Sequence, residues 1–368
     1  MDVFDPSTNV TFANPLPVAT TTQVVPVLLT VPNASSGKTK PASGWPVVIF
    51  QHGITRNRTD MFAVAGGLAA AGFAVIAIDL PLHGLTDPAN PFFHNQLFAE
   101  WYPSLYTSER TFDIDFENNT TGASRPDGVP DPSGTYFINR ISLLTSRDNL
   151  RQGVADLLQL RSAIPSIIGL DGTPLFDAER VSFLGQSLGS IEGTSFMALA
   201  QTQNLSVRSA VLNVPGGGIT NLLLGSPSFT PLILSGFAAA GLRPGAADFN
   251  SFVVATQTVI DSGDPINYAF AAADQRILVQ EVVGGSALLP GDISATNCPK
   301  CYDANGNWLP DQVIPNSVPG TPLSGGEPLV AALGLNTITS TYGVPVGTPV
   351  LVCLWVLGAS AAAAPGHC

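Results

Sequence analysis

Apolar residues in this chain gather into short continuous runs separated by helix-like and turn-like stretches. Pro46-Val47-Val48-Ile49-Phe50 and Phe73-Ala74-Val75-Ile76-Ala77-Ile78 are unbroken, the pattern of strands covered on both faces. Between them the sequence predicts a helix over 61–71, capped by Thr59 or Asp60 and ended by Gly72. A strand, a helix and a strand in that order predict a parallel sheet with helices on its faces. Val24–Val31 reads as a further strand, held to an edge by Pro26. Arg147–Ile164 carries Leu150, Val154, Leu157, Leu158 and Leu160 on one broad face, as a sheet-covering helix does. Val181–Leu184, Ser209–Val214, Arg276–Val283 and Val350–Val356 complete the predicted strands.

The expected architecture is one α/β domain over 1–368, with a mostly parallel central sheet flanked by helices and with cap insertions. Residues 1–43 form an N-terminal β or irregular segment. Residues 87–140 break the rhythm with aromatics and a loop rich in Pro, Gly, Asn and Asp from Asn118 to Ser133. Loops of that length are uncommon unless they serve a site. The stretch 219–275 is almost uncharged and reads as a helical cap with an apolar lining. Residues 346–368 hold the last strand and an alanine-rich tail.

Composition narrows the partners. The 368 residues are 45% hydrophobic and 11% charged, which excludes disorder. A net charge of −12 repels phosphate backbones and argues against nucleic acid. Four cysteines are too few for a disulfide framework. Cys298-Pro299-Lys300-Cys301, without a second pair or nearby histidines, is a poor zinc site and reads as a loop disulfide or two free thiols. The opening Met1-Asp2-Val3-Phe4-Asp5 lacks the apolar core of a signal peptide and looks trimmed. Pro349–Leu357 is too short to span a bilayer and reads as a buried strand.

Gly185-Gln186-Ser187-Leu188-Gly189 carries the chemistry. It follows a strand and precedes the helical stretch 190–200, the context that makes G-x-S-x-G a nucleophile elbow. A serine hydroxyl is a weak nucleophile until a base takes its proton, a carboxylate orients that base, and N–H groups hold the oxyanion. In this architecture the acid and then the histidine follow the serine. Of His52, His83, His94 and His367, only His367 does so. His52 lies in Gln51-His52-Gly53-Ile54, directly after the first central strand, where backbone N–H groups of Gly53 or Ile54 would join that of Leu188 as oxyanion donors. Its side chain, like that of His83, reads as structural; His94 reads as solvent-facing or lining. Asp311 is the preferred acid, Asp264 the second, with Asp292 and Asp303 behind them. No metal or organic cofactor is required.

Together Gln51-His52-Gly53-Ile54-Thr55, Asp79-Leu80-Pro81-Leu82-His83-Gly84, the elbow and Asp311-Gln312-Val313-Ile314-Pro315 resemble the α/β-hydrolase superfamily. More narrowly, Tyr136-Phe137-Ile138-Asn139, Ser146–Gln152 and Asp261-Ser262-Gly263-Asp264-Pro265 resemble bacterial extracellular lipases of the Pla-1/cef type. The resemblance covers about 45 to 345 and implies a secreted or cell-surface carboxylic ester hydrolase acting on lipids or other hydrophobic esters. It implies nucleophile Ser187, acid Asp311 and oxyanion donors near Ile54 and Leu188. Polyester substrates and contact with a lipid or polymer surface are extensions of the same expectation. The alanine-rich tail replaces the Gly-rich turn and closing helix that such enzymes place around the histidine, as a truncated or frame-shifted end would. An acyltransferase or thioesterase would use the same triad, and a binding protein could share the fold without the chemistry.

Overall fold

The computed structural model describes residues 10–94, 108–284, 303–338 and 351–354, apart from 13, 15, 17, 20, 140, 141, 305, 306 and 308. His367, Cys298, Cys301 and Asp292 lie outside the described residues.

Among the described residues eight strands form one sheet: β1 (Val27–Thr30), β2 (Trp45–Gln51), β3 (Ala74–Ile78), β4 (Phe176–Gln186), β5 (Ala210–Asn213), β6 (Ile277–Glu281), β7 (Asn336–Ile338) and β8 (Leu351–Leu354). Their spatial order is β1-β3-β2-β4-β5-β6-β8-β7. Only β1 runs antiparallel to its neighbour, at the edge. This is the α/β-hydrolase fold, a mostly parallel sheet with helices on both faces. Successive residues of β2 serve opposite faces. Val47 and Ile49 pack with Phe183, Phe196 and Met197, whereas Phe50 packs with Met61, Ala65 and Val75. Full burial of such side chains stabilises by about 1.5–3 kcal/mol each.

The helices are α1 (Phe62–Ala71), α2 (Leu143–Ala163), α3 (Leu188–Thr202), α4 (Ile219–Gly225), α5 (Thr230–Ala239), α6 (Ala247–Ile260), α7 (Ala269–Ala272) and α8 (Gly326–Ala332). The start of α1 differs from the sequence expectation. A 3-10 turn, Arg58–Met61, precedes it, and Asn57 rather than Thr59 or Asp60 caps that turn, its Oδ1 accepting the Thr59 N–H at 3.1 Å. Asp60 instead pairs with Arg56 at 2.7 Å. Helix α2 starts earlier than periodicity suggests, at Ser142, whose Oγ accepts the Thr145 N–H. Strand β4 extends well upstream of Val181 because Phe176 still pairs with Trp45 across a register shift.

Residues 108–139 hold turns rather than regular elements. Carboxylates order them: Asp131 Oδ2 accepts the Phe116 N–H and the Tyr136 hydroxyl, and Asp115 accepts the N–H groups of Asp127 and Gly128. Residues 219–275 are helical, as α4 to α7, but no residue of α5 is buried. Among the described residues no single helix is long and apolar enough to cross a membrane.

Candidate active site

The sheet reverses its winding between β2 and β4: β3 lies on one side of β2, and β4 on the other. Open α/β sheets bind ligands at the carboxyl ends of strands at such a point. The pairing Gln51↔Gly185 sends the residues that follow the two strands, 52–54 and 187–188, out of the sheet side by side.

Ser187 stands at the junction of β4 and α3 with φ 53° and ψ −115°. A non-glycine residue held there stores strain on the order of 1–3 kcal/mol. Its N–H donates to Asn213 O at 2.9 Å, and its carbonyl accepts the N–H groups of Ser190 and Ile191. The turn closes only because both flanking glycines lack a side chain. A Cβ at Gly185 would lie 2.5 Å from Gly189 O, and one at Gly189 would strike the carbonyl of Gln51. Gly189→Ala is therefore expected to destabilise by about 3 kcal/mol or more, since overpacking meets backbone and not a movable side chain. Urea denaturation measures it.

Leu188 is the first residue of α3, so its N–H is among those without an intrahelical partner and lies at the positive end of the helix. Gly53 approaches from β2; a Cβ there would be 3.3 Å from Ser187 Cβ and 3.8 Å from its Oγ. Ile54 packs in the same apolar cluster as Leu188 and Ile191. The structure thus gathers Ser187, Leu188, Gly53 and Ile54 at one place.

Three cross-links fix the 52–58 loop to the 79–83 loop. His52 Nε2 accepts the Leu80 N–H at 3.1 Å, His83 Nε2 accepts the Thr55 N–H at 3.2 Å, and Asp79 Oδ1 accepts the Arg58 N–H at 2.6 Å. Each imidazole donates its Nδ1–H to a carbonyl, Gly53 O and Pro81 O respectively, both at 2.8 Å. Both nitrogens of each ring are engaged, so neither histidine is placed to serve Ser187. Burial depresses the His52 pKa to about 4 and the His83 pKa to about 3. Each is neutral when folded and titrates near 6.5 when unfolded, so below that pH the unfolded chain binds more protons. The stability they contribute is whole above pH 6.5 and is lost as pH falls towards those folded values. Compared with the wild type, His83→Gln is expected to lose less stability on acidification below pH 6.5, the difference growing by about 1.4 kcal/mol per pH unit, as read from thermal melts.

The guanidinium of Arg58 holds three segments. It donates to Asp79, to both oxygens of Glu109, and to Phe92 O at 2.8 Å. All three charged groups are buried, Arg58 at 2% exposure and both carboxylates at 0%. Burial opposes the charge on Arg58, but Glu109 and Asp79 outweigh it and hold the pKa above its ordinary value. Burial also opposes ionisation of Glu109, and its bonds from Arg58 win. At Asp79 burial wins and the pKa is raised. His94, expected at the surface or lining the site, is instead buried beside Glu109, with Nδ1 3.5 Å from Oε1.

Asp311 sits on the loop beyond β6. Its N–H donates to Val282 O at 2.9 Å, and its Oδ1 accepts the Val313 and Ile314 N–H groups at 2.7 and 2.9 Å. Ile314 anchors this turn in the apolar cluster that holds Leu188. Burial raises the Asp311 pKa against those two bonds. Asp264, the second candidate acid, has another task. It accepts from the Gly218, Ile219 and Ile266 N–H groups and from Gln257 Nε2, at 2.7 to 3.1 Å. Four donors fill a carboxylate's usual capacity, which leaves none for a histidine. Asp303 bonds within its own loop to Asn307.

Sequence reasoning missed a second buried charged group beneath the elbow. Arg110 donates to Asp79 O and pairs with Asp156 at 2.7 Å, and it faces Glu192 of α3. Glu192 is 1% exposed, and neither carboxyl oxygen has a hydrogen-bond partner among the described residues. Burial, reinforced by Asp156, raises its pKa well above 4.5. The folded state therefore holds this proton where the unfolded chain loses it, and stability falls as pH rises above 4.5. Glu192→Gln is expected to remove that decline in pH-dependent urea midpoints. A glycine at 153, at the middle of α2, is what admits the carboxyl, because a Cβ there would strike it.

Residues 14–81, spanning β1 to β3 and the 52–58 loop, match the model of the family platelet-activating factor acetylhydrolase, isoform II. No curated protein matches the chain at a significant level. Acetyl xylan esterase from Paenibacillus sp. R4 is similar over 70% of this chain and 63% of its own, with 16% identity and a TM-score of 0.41. Acetyl xylan esterase 1 from Thermoanaerobacterium sp. JW/SL YS485 is similar over 65% and 60%, with 17% identity and a TM-score of 0.39. Est1E from Butyrivibrio proteoclasticus, solved with ferulic acid, is similar over 70% and 74%, with 12% identity and a TM-score of 0.34. The chain thus spans about three-fifths of the length of the two acetyl xylan esterases. These likenesses are distant, and the fold stands on its own strand order.

Proposed function

We propose that the protein is a serine carboxylic ester hydrolase acting on hydrophobic esters through an acyl-enzyme. One observation carries the reading. Ser187 is held at positive φ on a strand-to-helix turn, with the helix N-terminus on one side and the side-chain-free backbone of Gly53 on the other. Strain of that kind persists only where the surroundings enforce it, and here it sets a half-buried serine beside backbone donors. The family match over residues 14–81 supports the reading through its acetylhydrolase description.

Ser187 Oγ attacks the ester carbonyl carbon while His367 takes its proton. The carbonyl π electrons move to oxygen, and that oxyanion accepts from the Leu188 and Ile54 N–H groups. Collapse breaks the bond to the alcohol, which leaves with the proton from His367. Water, deprotonated by the same imidazole, then attacks the acyl-enzyme and releases the acid and Ser187. Asp311 orients the imidazole and stabilises its charged form. His367 earns this role by chain order and by elimination: His52 and His83 have both nitrogens engaged, and His94 is buried beside Glu109.

The test is rapid mixing with a p-nitrophenyl ester. A burst of nitrophenolate approaching one equivalent per chain is the expected result. His367→Ala should lower kcat by at least ~10³-fold and Asp311→Asn by about 10²–10⁴-fold. Turnover without a burst and with His367→Ala unimpaired would place the base elsewhere.

A further inference from the structure

Two turns meet beside the candidate oxyanion donors, and each holds a residue that its backbone does not suit. Gly53 O accepts the Arg56 N–H at 3.2 Å, so residues 53–56 form a β-turn, and Thr55 stands third in it with φ 64°. Leu80 O accepts the His83 N–H at 3.1 Å, so residues 80–83 form another, with Leu82 third at φ 61°. A positive φ at that position alone marks the type II turn, which ordinarily places glycine or asparagine there. Threonine and leucine suit the type I turn, in which the central peptide is turned over. The surroundings must therefore hold both turns in the strained form.

For the first turn one bond supplies the lock. The Thr55 N–H, on the central peptide, donates to His83 Nε2 at 3.2 Å. His83 is itself fixed: its Nδ1–H donates to Pro81 O at 2.8 Å, and its ring packs on those of His52 and Phe137, with centroids 5.1 and 5.2 Å away. The end of the 108–139 stretch closes over this bond. Ser133 Oγ donates to Arg56 O at 2.7 Å and accepts the Gly84 N–H at 3.1 Å, while the Gly134 N–H donates to Leu82 O at 2.8 Å. Gly134, at φ 74°, passes so close that a Cβ there would strike His83 Nε2.

The lock bears on the donor through the neighbouring peptide. Gly53 O is engaged by the Arg56 N–H and by His52 Nδ1–H. A trans peptide points its N–H opposite to its carbonyl, so the Ile54 N–H is turned away from those two bonds. Reversion to type I would turn over the Ile54–Thr55 peptide, a swing of about 150° in Ile54 ψ, immediately beside that donor.

We propose that His83 is a positioning residue for ester hydrolysis: by accepting the Thr55 N–H it holds residues 53–56 in the type II turn and keeps the Ile54 N–H in place for the oxyanion. The proposal rests on the reading of Ser187 as the nucleophile. It also gives the 108–139 stretch a task at the site, that of bracing the lock through Ser133 and Gly134.

Stopped-flow hydrolysis of a soluble p-nitrophenyl ester tests it, with a urea midpoint taken on every variant. His83→Leu removes the acceptor and should slow both the nitrophenolate burst and kcat by about 10–100-fold with KM little changed, since a misplaced donor is felt in the transition state. His83→Gln, whose side-chain oxygen can accept the same N–H, should retain most of the rate. The decisive variant combines His83→Leu with Thr55→Gly. Glycine favours the type II turn without a lock, so kcat should recover by about fivefold or more over His83→Leu alone. Packing lost with the imidazole would not return with a glycine at 55. Should His83→Leu fail to fold, Ser133→Ala, at a half-buried position, takes its place and should lower kcat by about 3–10-fold at an unchanged midpoint. The proposal is overturned by wild-type kcat in His83→Leu, or in Ser133→Ala where His83→Leu does not fold, by a loss that Thr55→Gly leaves unrestored, or by a rise in KM alone. Wild-type turnover by Ser187→Ala in the same assay would instead remove the nucleophile reading, and the proposal with it.

Discussion

Ser187→Ala is expected to lower kcat on a soluble p-nitrophenyl ester by about 10⁴-fold or more, with KM and urea midpoint unchanged. The size follows from what the hydroxyl does. It forms the covalent intermediate, and without it only the oxyanion donors and binding remain, which leave a residual rate above that of water. The unchanged midpoint follows from burial and bonding. The backbone N–H to Asn213 and the carbonyl that receives Ser190 and Ile191 hold the turn, and alanine keeps all three bonds. Ser187→Gly makes a companion test: it should be equally inactive but gain stability, because glycine adopts φ 53° without strain. A serine that were only a turn residue would show the stability effect and no loss of rate.

Arg58→Ala should cost about 3–5 kcal/mol of unfolding free energy, read as a fall in urea midpoint. Removing the guanidinium strands Asp79 and Glu109 as uncompensated charges at zero exposure. It also frees the Phe92 carbonyl and leaves the backbone N–H of residue 58 as the one bond from this position to Asp79, on the loop that carries Gly53 and Ile54. Arg58→Lys keeps the charge but cannot donate to two carboxylates and a carbonyl in one plane, so it should recover part of the loss only. Rate should fall with stability in both variants, because the oxyanion loop loosens with the clamp.

Much of this arrangement is legible in the sequence, for physical reasons that also mark where reading stops. The strands Trp45–Gln51 and Ala74–Ile78 are buried along their whole length, so their apolar runs needed no periodicity to be read. The elbow was readable because Gly185 and Gly189 are required by close backbone contact, and such contact admits no other residue. Strand β7 and helix α8 were missed: three and seven residues carry too little pattern. Their place comes from pairing with β8 and from the bridge between Gly217 and Gly325, both long-range. Asp264 looked like an acid and is a cap, because the residues that fill it, Gly218 and Ile219, are far away in the chain. Arg58, Glu109 and Glu192 were invisible for a related reason. Charged residues are ordinarily exposed, and only their partners across the fold show that these are not.

Labelling with an alkyl fluorophosphonate tests whether Ser187 Oγ is the nucleophile. Intact-mass measurement should show a single adduct on the wild type and none on Ser187→Ala, and peptide mapping should place it on Ser187, with hydrolysis lost in proportion to labelling. An adduct on another residue, or full labelling with hydrolysis intact, would rule out Ser187 as the nucleophile.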